Sequence, residues 1–285
     1  MSRMKKERSW LAYPYVLWST IFIIVPLLLI FYFAFTVTDG SGVKFSLDNF
    51  RRLMDPIYVK VFGRSIWLAL QSTMLCLLIG YPVAYIIAKK AEHKRGLLIM
   101  LFILPMWMNF LLRTYAWLAI LGRNGLINNL LTTIGLNPID ILYTNSAILL
   151  GMVYNFLPFM VLPVYTSLSK MDQDLINAAY DLGAGKFTAF VKVVFPLSMP
   201  GVISGITMVF MPAVSTFVIS QLLGGGKQML IGNLIEQQFT TMGNWNFGSA
   251  VSILMMILIL ICMALTSKFS DDDDEGRGKG GRVMW

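Results

Sequence analysis

The 285-residue chain is too apolar for a soluble protein, since 56% of its side chains are hydrophobic, only 13% are charged, and its mean hydropathy is +0.68. A soluble fold could not bury that much apolar surface, whereas uncharged stretches of about 20 residues match the roughly 30 Å hydrocarbon layer of a membrane. The net charge of +8 is explained by basic residues that set orientation or meet anionic lipid headgroups, so nucleic-acid binding is not indicated.

The chain begins with a basic segment that predicts its orientation. Residues 1–10 carry four basic side chains and one acidic side chain, and such segments are retained in the cytoplasm. The apolar run that follows, predicted to span the membrane at 11–37, is too long for a signal peptide and lacks an A-x-A cleavage site. We therefore expect a cytoplasmic N-terminus and a retained first helix.

Six apolar runs are long enough to cross a membrane. The predicted spans are 11–37, 65–88, 97–121, 146–168, 201–223 and 248–267. The connection at 89–95 carries four basic residues and one acidic residue, which favours the cytoplasmic side. An even number of spans brings the C-terminus to the same side, as a Gly-rich, charge-dense and therefore disordered tail at 268–285. The predicted fold class is an all-α integral membrane protein with six transmembrane helices.

Glycines and prolines inside the spans predict close packing and bending. Gly201 and Gly205 form a small-xxx-small pair, which is typical of tight contact with a neighbouring helix or with a partner subunit. Each proline in a span removes a backbone hydrogen bond and predicts either a hinge or a static bend. These prolines are Pro82, Pro105, Pro158, Pro163 and Pro212.

Outside the spans, "LIGNLIEQQF" at 230–239 predicts a short amphipathic helix at the membrane interface.

The spans lack the deep ionisable residues of an ion-coupled pump, and the chain lacks a Walker loop for ATP hydrolysis. Arg113 lies about 24 Å along the third span, near the outer surface, where it can snorkel. No Asp, Glu, Lys or His lies deep in a span, as a proton relay would require. The stretch "LLGGGK" at 222–227 lacks the spacing and the Ser or Thr of a Walker loop. Cys76 and Cys262 lie in uncharged runs, so we expect no disulfide, no metal site and no catalytic residue.

The connection between the fourth and fifth spans, 169–199, has a helical pattern of its own. Apolar residues recur at helical spacing at Leu175, Ala178, Ala179 and Leu182. Asp172 or Asp174 can cap this helix, and Gly183 stands where helices end in the left-handed conformation. Phe187, Val191 and Val194 repeat the spacing beyond the glycine. Pro196 and Pro200 are expected to close the segment before the fifth span.

This pattern has two interpretations. A helix, a glycine break and a second helix could be gripped by a partner protein, because the alanines permit close approach and the leucines and phenylalanines offer contact area. The same pattern also fits a cytoplasmic loop that packs only against its own helix ends.

At these residues the chain resembles a known family. "NAAYDLG…FPLSMPG" is similar to the E-A-A-x-x-x-G…P signature of the permease subunits of binding-protein-dependent ABC importers, with Asn177 where that motif usually has Glu. The stretches at 105–131, 149–175 and 211–239 resemble the B-type permease of spermidine and putrescine importers. Residues that match the motif are Ala178, Ala179, Gly183, Pro196 and Pro200.

The resemblance implies a type I ABC importer permease fold with a cytoplasmic coupling helix, in a bacterial plasma membrane. It implies a paralogous second permease, two copies of a cytoplasmic ATPase that bind ATP and Mg, and an extracytoplasmic polyamine-binding lipoprotein, with no cofactor in this chain. The residues implied to contact the ATPase are Leu175, Asn177, Ala178, Ala179, Leu182, Gly183 and Phe187. Because an amide cannot form a charged contact, we expect a weaker or rearranged contact at Asn177.

Recognition of a protonated polyamine would use carboxylates and aromatic faces. Candidates for the substrate path are Trp117, Asp140, Tyr154, Asn155, Glu236 and Trp245. Each has an ordinary alternative: the aromatic residues fit the interfacial belt, the carboxylates fit loop charges, and the Tyr154 and Asn155 pair fits helix–helix hydrogen bonding.

Two other functional classes remain open. A stand-alone secondary transporter or channel would be expected to have buried ionisable residues, broken helices at the membrane centre or an internal duplication, none of which is clear in the sequence. An importer of the same class could also carry another small cation, an iron complex or an organophosphonate, because the fold does not set the substrate.

Overall fold

The computed structural model describes residues 13–39 and 42–278. Two compact units divide the chain: Met1–Lys60 with Leu234–Ile257, and Val61–Asn233 with Leu258–Trp285. Within the described residues, five helices are long and apolar enough to cross a membrane, and a sixth crossing is obtained if a bent helix pair counts as one span. The predicted cytoplasmic segment 1–10 and the end of the predicted tail, 279–285, lie outside the described residues.

The first span belongs to the first unit. Helix α1 (Tyr13–Ser19), a π turn (Thr20–Ile24) and helix α2 (Val25–Ala34) follow one another without a break. In the π turn the Val25 N–H bonds to the Thr20 carbonyl, directly before Pro26, which has no N–H to donate.

A β-hairpin follows the first span and was not predicted. Strands β1 (Thr36–Asp39) and β2 (Gly42–Phe45) pair antiparallel, and helix α3 (Asp48–Arg52) comes next. Two buried or half-buried asparagines of this unit hold the join between helix and hairpin. Asn49 donates to the carbonyls of Ala34 and Thr36, and Asn246 donates to the Thr36 carbonyl at 2.6 Å. The predicted all-α class therefore gains a small sheet in the connection after the first span.

Helices α4 and α8 contain the second and fourth predicted spans. Helix α4 (Pro56–Ala88) is a 33-residue helix that begins nine residues before the predicted start at 65, with Pro56 at its first position, where a missing N–H costs nothing. Helix α8 is Asn145–Ser169, and the Thr144 side chain caps it by accepting from the Ala147 N–H. Pro82, Pro158 and Pro163 lie inside these helices without ending them.

The third predicted span, 97–121, is not one helix. Helix α5 (Glu92–Ile103) and a 3-10 turn (Leu104–Trp107) are followed by α6 (Phe110–Leu121). The segments before and after Met108 and Asn109 are bent by 89°. The prediction of a continuous span is wrong because Pro105 disfavours continuation of α5 and Asn109 starts a new helix, its side chain accepting from the Leu111 N–H at 2.8 Å. Helix α7 (Leu126–Thr133) comes next.

The fifth predicted span, 201–223, begins earlier and ends earlier. Helix α10 (Lys186–Ala189), a π turn (Phe190–Val194) and α11 (Phe195–Ser215) form one 30-residue helix. Pro196 does not close the preceding segment, because the π turn directly before it lets the helix continue past the missing N–H. Pro200 lies inside α11. The helix stops at Ser215, and the short α12 (Val218–Leu223) follows.

The last two helices are α13 (Ile231–Thr240) and α14 (Trp245–Gly278). The short helix predicted at 230–239 is therefore present. Residues 268–278 are helical rather than disordered as predicted, because extending a formed helix needs no new nucleus.

The core of the second unit lies where α8 packs on α11. A Cβ placed on Gly201 would lie 2.6 Å from the Ser167 Cβ, and one on Gly205 would lie 2.7 Å from the Met160 sulfur. Only glycine allows such an approach, so the predicted tight packing is confirmed, and its partner is a neighbouring helix of the same chain. Met160, Val161, Val164 and Val209 are completely buried here.

Candidate coupling segment and transport path

The connection at 169–199, which we call the coupling segment, folds as a capped helix with a glycine stop. Helix α9 is Gln173–Asp181, and of the two predicted caps Asp172 fills the role, accepting from the Asp174 N–H at 3.0 Å. Gly183 has a φ of +83°. The Gly183 N–H donates to the Tyr180 carbonyl and the Ala184 N–H to the Ala179 carbonyl, which is the Schellman motif. The predicted left-handed stop at Gly183 is confirmed.

The second arm of this segment is the beginning of the fifth span. Gly185 is the N-cap of α10, and the helix then continues without interruption from Lys186 to Ser215. Only Leu182, Gly183, Ala184 and Gly185 therefore separate α9 from a helix long enough to cross the membrane. The second arm of the connection is thus continuous with the fifth span.

The outward face of the segment carries large apolar side chains. Leu182 is 89% exposed and Phe187 is 80% exposed, and Leu175 is 49% exposed. Asn177 and Ala178 are also exposed, whereas Ala179 is half-buried. Exposed apolar side chains of this size are typical of a protein interaction site. A loop that packed only against its own helix ends would cover these side chains.

One side of α9 lines an open cavity of about 310 Å³, which we call the basic cavity. Lys89 and Arg95 reach it from the connection between α4 and α5, and Lys186 reaches it from α10. Gln173, Ile176, Asn177 and Tyr180 of α9 form another wall. Two connections that the sequence analysis treated separately, 89–95 and 169–199, thus meet at one end of the second unit.

Aromatic side chains fasten the start of the fifth span to α4. The Phe190 ring lies edge-on to Tyr81 and Tyr85, with centroids 5.9 and 5.3 Å away. The Tyr81 and Ser198 hydroxyls are 2.8 Å apart. Because the Ser198 hydroxyl hydrogen is donated to the Phe195 carbonyl, Tyr81 is the donor to Ser198. These contacts therefore join the second and fifth spans near the coupling segment.

Four of the six candidate path residues lie in the second unit. Trp117 of α6 and Tyr154 of α8 form an edge-to-face pair with centroids 5.3 Å apart. Asn155 is buried and donates to the Gly151 carbonyl of its own helix, while its side-chain oxygen is buried with no partner in the described part of the chain. Asp140 is exposed in the connection before α8. The structure thus brings Trp117 and Tyr154 together.

Glu236 and Trp245 lie in the first unit. The half-buried Glu236 accepts a hydrogen bond from the Thr240 hydroxyl at 2.9 Å. Trp245 is 55% exposed, and its ring contacts Phe239 and Phe33 at centroid distances of 5.3 and 6.1 Å. The contact of any of the six residues with substrate stays a prediction.

Arg113 departs from its predicted position. It is only 7% exposed, and its Nε is buried with no hydrogen-bond partner in the described ranges. The prediction of a snorkelling arginine assumed a straight third span, and the bend before α6 removes that geometry. The basic cavity was not predicted from the sequence, because the charges at 89–95 also fit orientation signals.

Comparison with known proteins identifies the family. The family described as "Binding-protein-dependent transport system inner membrane component" matches residues 2–272. The spermidine/putrescine transport system permease protein PotB of Salmonella typhimurium strain SL1344 is 42% identical over 260 residues, which are 90% of this chain and 91% of that protein. The protein of the same name from Escherichia coli K12 is 44% identical over 243 residues, which are 84% of this chain and 88% of that protein.

A solved structure shares the fold. A chain of a bacterial ABC transporter involved in the import of the acidic polysaccharide alginate superposes with a TM-score of 0.79 at 17% identity, covering 95% of this chain and 99% of that chain. The predicted type I importer permease fold is thus confirmed. This chain belongs to the family of inner membrane components of binding-protein-dependent transport systems.

Proposed function

We propose that this chain is the permease subunit of an ATP-driven polyamine importer and forms half of the translocation path for spermidine or putrescine. The observation that carries the proposal is the identity of 42% over 90% of the chain to a permease of that substrate class. Similarity of fold alone, at low sequence identity, would not be enough to infer the substrate.

The coupling segment is the docking site for a separate ATPase. Leu175, Leu182 and Phe187 offer apolar anchors, and exposed aromatic and aliphatic side chains of this kind carry most of the energy of protein interfaces. Two copies of the ATPase bind ATP and Mg and dock on this chain and on a paralogous second permease. An extracytoplasmic polyamine-binding lipoprotein delivers the substrate from the other side.

The orientation follows from charge. The segments at 1–10 and 89–95 are both strongly basic. Because 89–95 and the coupling segment line one cavity, these two segments are on the same side of the membrane. The positive-inside rule makes that side cytoplasmic. Both chain ends are then cytoplasmic.

The substrate path uses weak, distributed contacts. The Trp117 and Tyr154 pair provides aromatic faces for a protonated amine, with Asp140 and Asn155 as polar contacts, and Glu236 and Trp245 offer the same chemistry in the first unit. Weak contacts suit a transporter, because tight binding to the permease would stall release.

Co-purification and reconstitution test the proposal. The tagged chain should bring down an ATPase and a second permease. Vesicles that contain this assembly, with the binding protein on the opposite side from the ATPase, should accumulate labelled spermidine only when ATP is supplied on the side that the ATPase faces. Transport by this chain alone, without ATP, would reject the importer. If ATP hydrolysis by the assembly is retained but neither spermidine nor putrescine is transported, the polyamine substrate would be rejected, and the assembly would be an importer of another small molecule.

A further inference from the structure

We propose that the basic cavity binds a phosphate group, carried by an anionic phospholipid headgroup or by a free phosphate. The apolar side chains assigned to ATPase docking, Leu175, Leu182 and Phe187, do not line this cavity. Asn177 is the one lining residue that the resemblance also assigns to the ATPase contact. The cavity is separate from the residues assigned to the substrate path. The inference therefore goes beyond the proposed import function.

The charge of the cavity selects an anion. Lys89, Arg95 and Lys186 line it, and no Asp or Glu is among the lining residues that the structure describes. Three like charges around one space of about 310 Å³ repel each other. An anion inside the cavity relieves that repulsion and gains charge-assisted hydrogen bonds.

The donors suit phosphate oxygens. The Arg95 Nε donates to the Lys90 carbonyl at 2.7 Å, which leaves the terminal guanidinium nitrogens free to donate to a ligand in the cavity that Arg95 lines. The Lys89 Nζ lies 4.2 Å from the centroid of the Tyr85 ring, so it is held over that ring. The side-chain amides of Gln173 and Asn177 add neutral donors. Guanidinium, ammonium and amide donors around one space are the usual surroundings of a bound phosphate.

The position of the cavity favours a lipid as the source. Helix α4 ends at Ala88 and α8 ends at Ser169, and both helix ends line the space through Ala88 and Leu168. Phospholipid phosphates lie at the depth where transmembrane helices end, and Tyr and Lys are typical of that depth. Leu168, Ile176 and Val194 form an apolar wall that suits the glycerol and acyl carbons beside a headgroup.

Matched charge-removing variants test the site. The full-length chain, purified with its partner subunits, is titrated in zwitterionic detergent with phosphatidylglycerol, with phosphatidylcholine and with inorganic phosphate, and bound ligand is counted by native mass spectrometry. Lys89→Gln/Lys186→Gln removes two cavity charges. Lys90→Gln/Lys192→Gln removes the same charge from exposed neighbours that do not line the cavity.

The expected result is one retained phosphatidylglycerol per chain, with affinity lowered at least about tenfold by the cavity pair and unchanged by the control pair. Displacement of that lipid by inorganic phosphate, or direct binding of inorganic phosphate, would identify free phosphate as a source. Equal losses in both pairs, or equal retention of phosphatidylcholine, would overturn the proposal. Protection of the cavity lysines from chemical modification by the ATPase in the absence of lipid and phosphate would also overturn the proposal and would assign the cavity to the ATPase contact.

Asn177→Glu gives an independent variant that leaves all three cations in place. A carboxylate on this wall of the cavity should compete with phosphate and lower phosphatidylglycerol retention, whereas Asn177→Gln should not. Retention equal to that of the unmodified chain in Asn177→Glu would contradict the proposal. Because these readouts measure binding rather than uptake, their failure leaves the importer function untouched, and failure of ATP-dependent uptake leaves the phosphate site untouched.

Discussion

Gly183 ends α9 with a backbone conformation that other residues adopt only at a cost. Its φ is +83°, and a Cβ added there would meet no atom within 4 Å. In Gly183→Val the strain therefore lies in the backbone, at roughly 1–2 kcal/mol, and should re-aim the segment without harming membrane insertion. We expect the variant to be inserted normally but to lose the coupling of ATP hydrolysis to uptake, measured as both rates in reconstituted vesicles.

Gly185→Val is the control for this prediction. Gly185 has a φ of −70°, and its added Cβ would also meet open space, so valine is tolerated there. Normal coupling in Gly183→Val would contradict the docking role of this helix stop.

The exposed apolar pair Leu182 and Phe187 carries a second prediction. Leu182→Ala/Phe187→Ala should weaken binding of the ATPase by at least about tenfold, because truncating an interface anchor costs on the order of 1–2 kcal/mol or more. The melting temperature of the isolated chain should not change, since both side chains are exposed. Thr188→Ala, at an exposed polar neighbour, is the control, and undiminished ATPase binding by the double variant would assign docking elsewhere.

Glu236 offers a test of charge without a change of shape. Its Oε1 accepts from the Thr240 hydroxyl, and a glutamine oxygen can accept the same bond. Glu236→Gln should therefore keep the local structure and reduce spermidine uptake at low concentration by up to about tenfold. Glu92→Gln, in the first turn of α5, removes a charge outside the proposed path. Unchanged uptake in Glu236→Gln would remove this residue from the path.

Among the helices, the contact between α8 and α11 depends on the absence of side chains. In Gly201→Val the new Cβ would approach the Pro163 carbonyl oxygen to 2.7 Å, and this backbone cannot rotate away. We expect the helices to separate at a cost of roughly 1–3 kcal/mol, seen as a lower melting temperature in detergent. Gly96→Ala in α5, where the added Cβ meets no atom within 4 Å, should be neutral or slightly stabilising. Equal melting temperatures would show that the contact is not tight.

Local signals predicted one helix well and two helices poorly. The cap at Asp172 and the stop at Gly183 act within a few residues, so the sequence was sufficient to predict α9. The break at Asn109 was missed because a hydropathy pattern continues across it, although Pro105 and the capping Asn109 were visible signals. The early start of the fifth span at Lys186 was missed because Pro196 was interpreted as a helix end, whereas the π turn before it allows the helix to continue.

At the scale of the molecule, contacts between distant segments could not be predicted from a single sequence. Lys89 and Lys186 lie almost a hundred positions apart in the chain, and only the folded second unit brings them to one cavity. Their charges were visible, but charge in a short connection also sets orientation, and that interpretation fitted both. The path residues have the same difficulty: Trp117 and Tyr154 were named separately, and their pairing is a product of tertiary structure.

The unbroken helix from Lys186 to Ser215 has a mechanical consequence. Its 30 residues extend about 45 Å at 1.5 Å per residue, which exceeds the thickness of the hydrocarbon layer. A tilt of about 5° about its near end would move its far end by about 4 Å over that length. A small rocking at Lys186 would thus become a shift of several ångströms at the opposite end of the helix, and the proposed docking of an ATPase would use that lever.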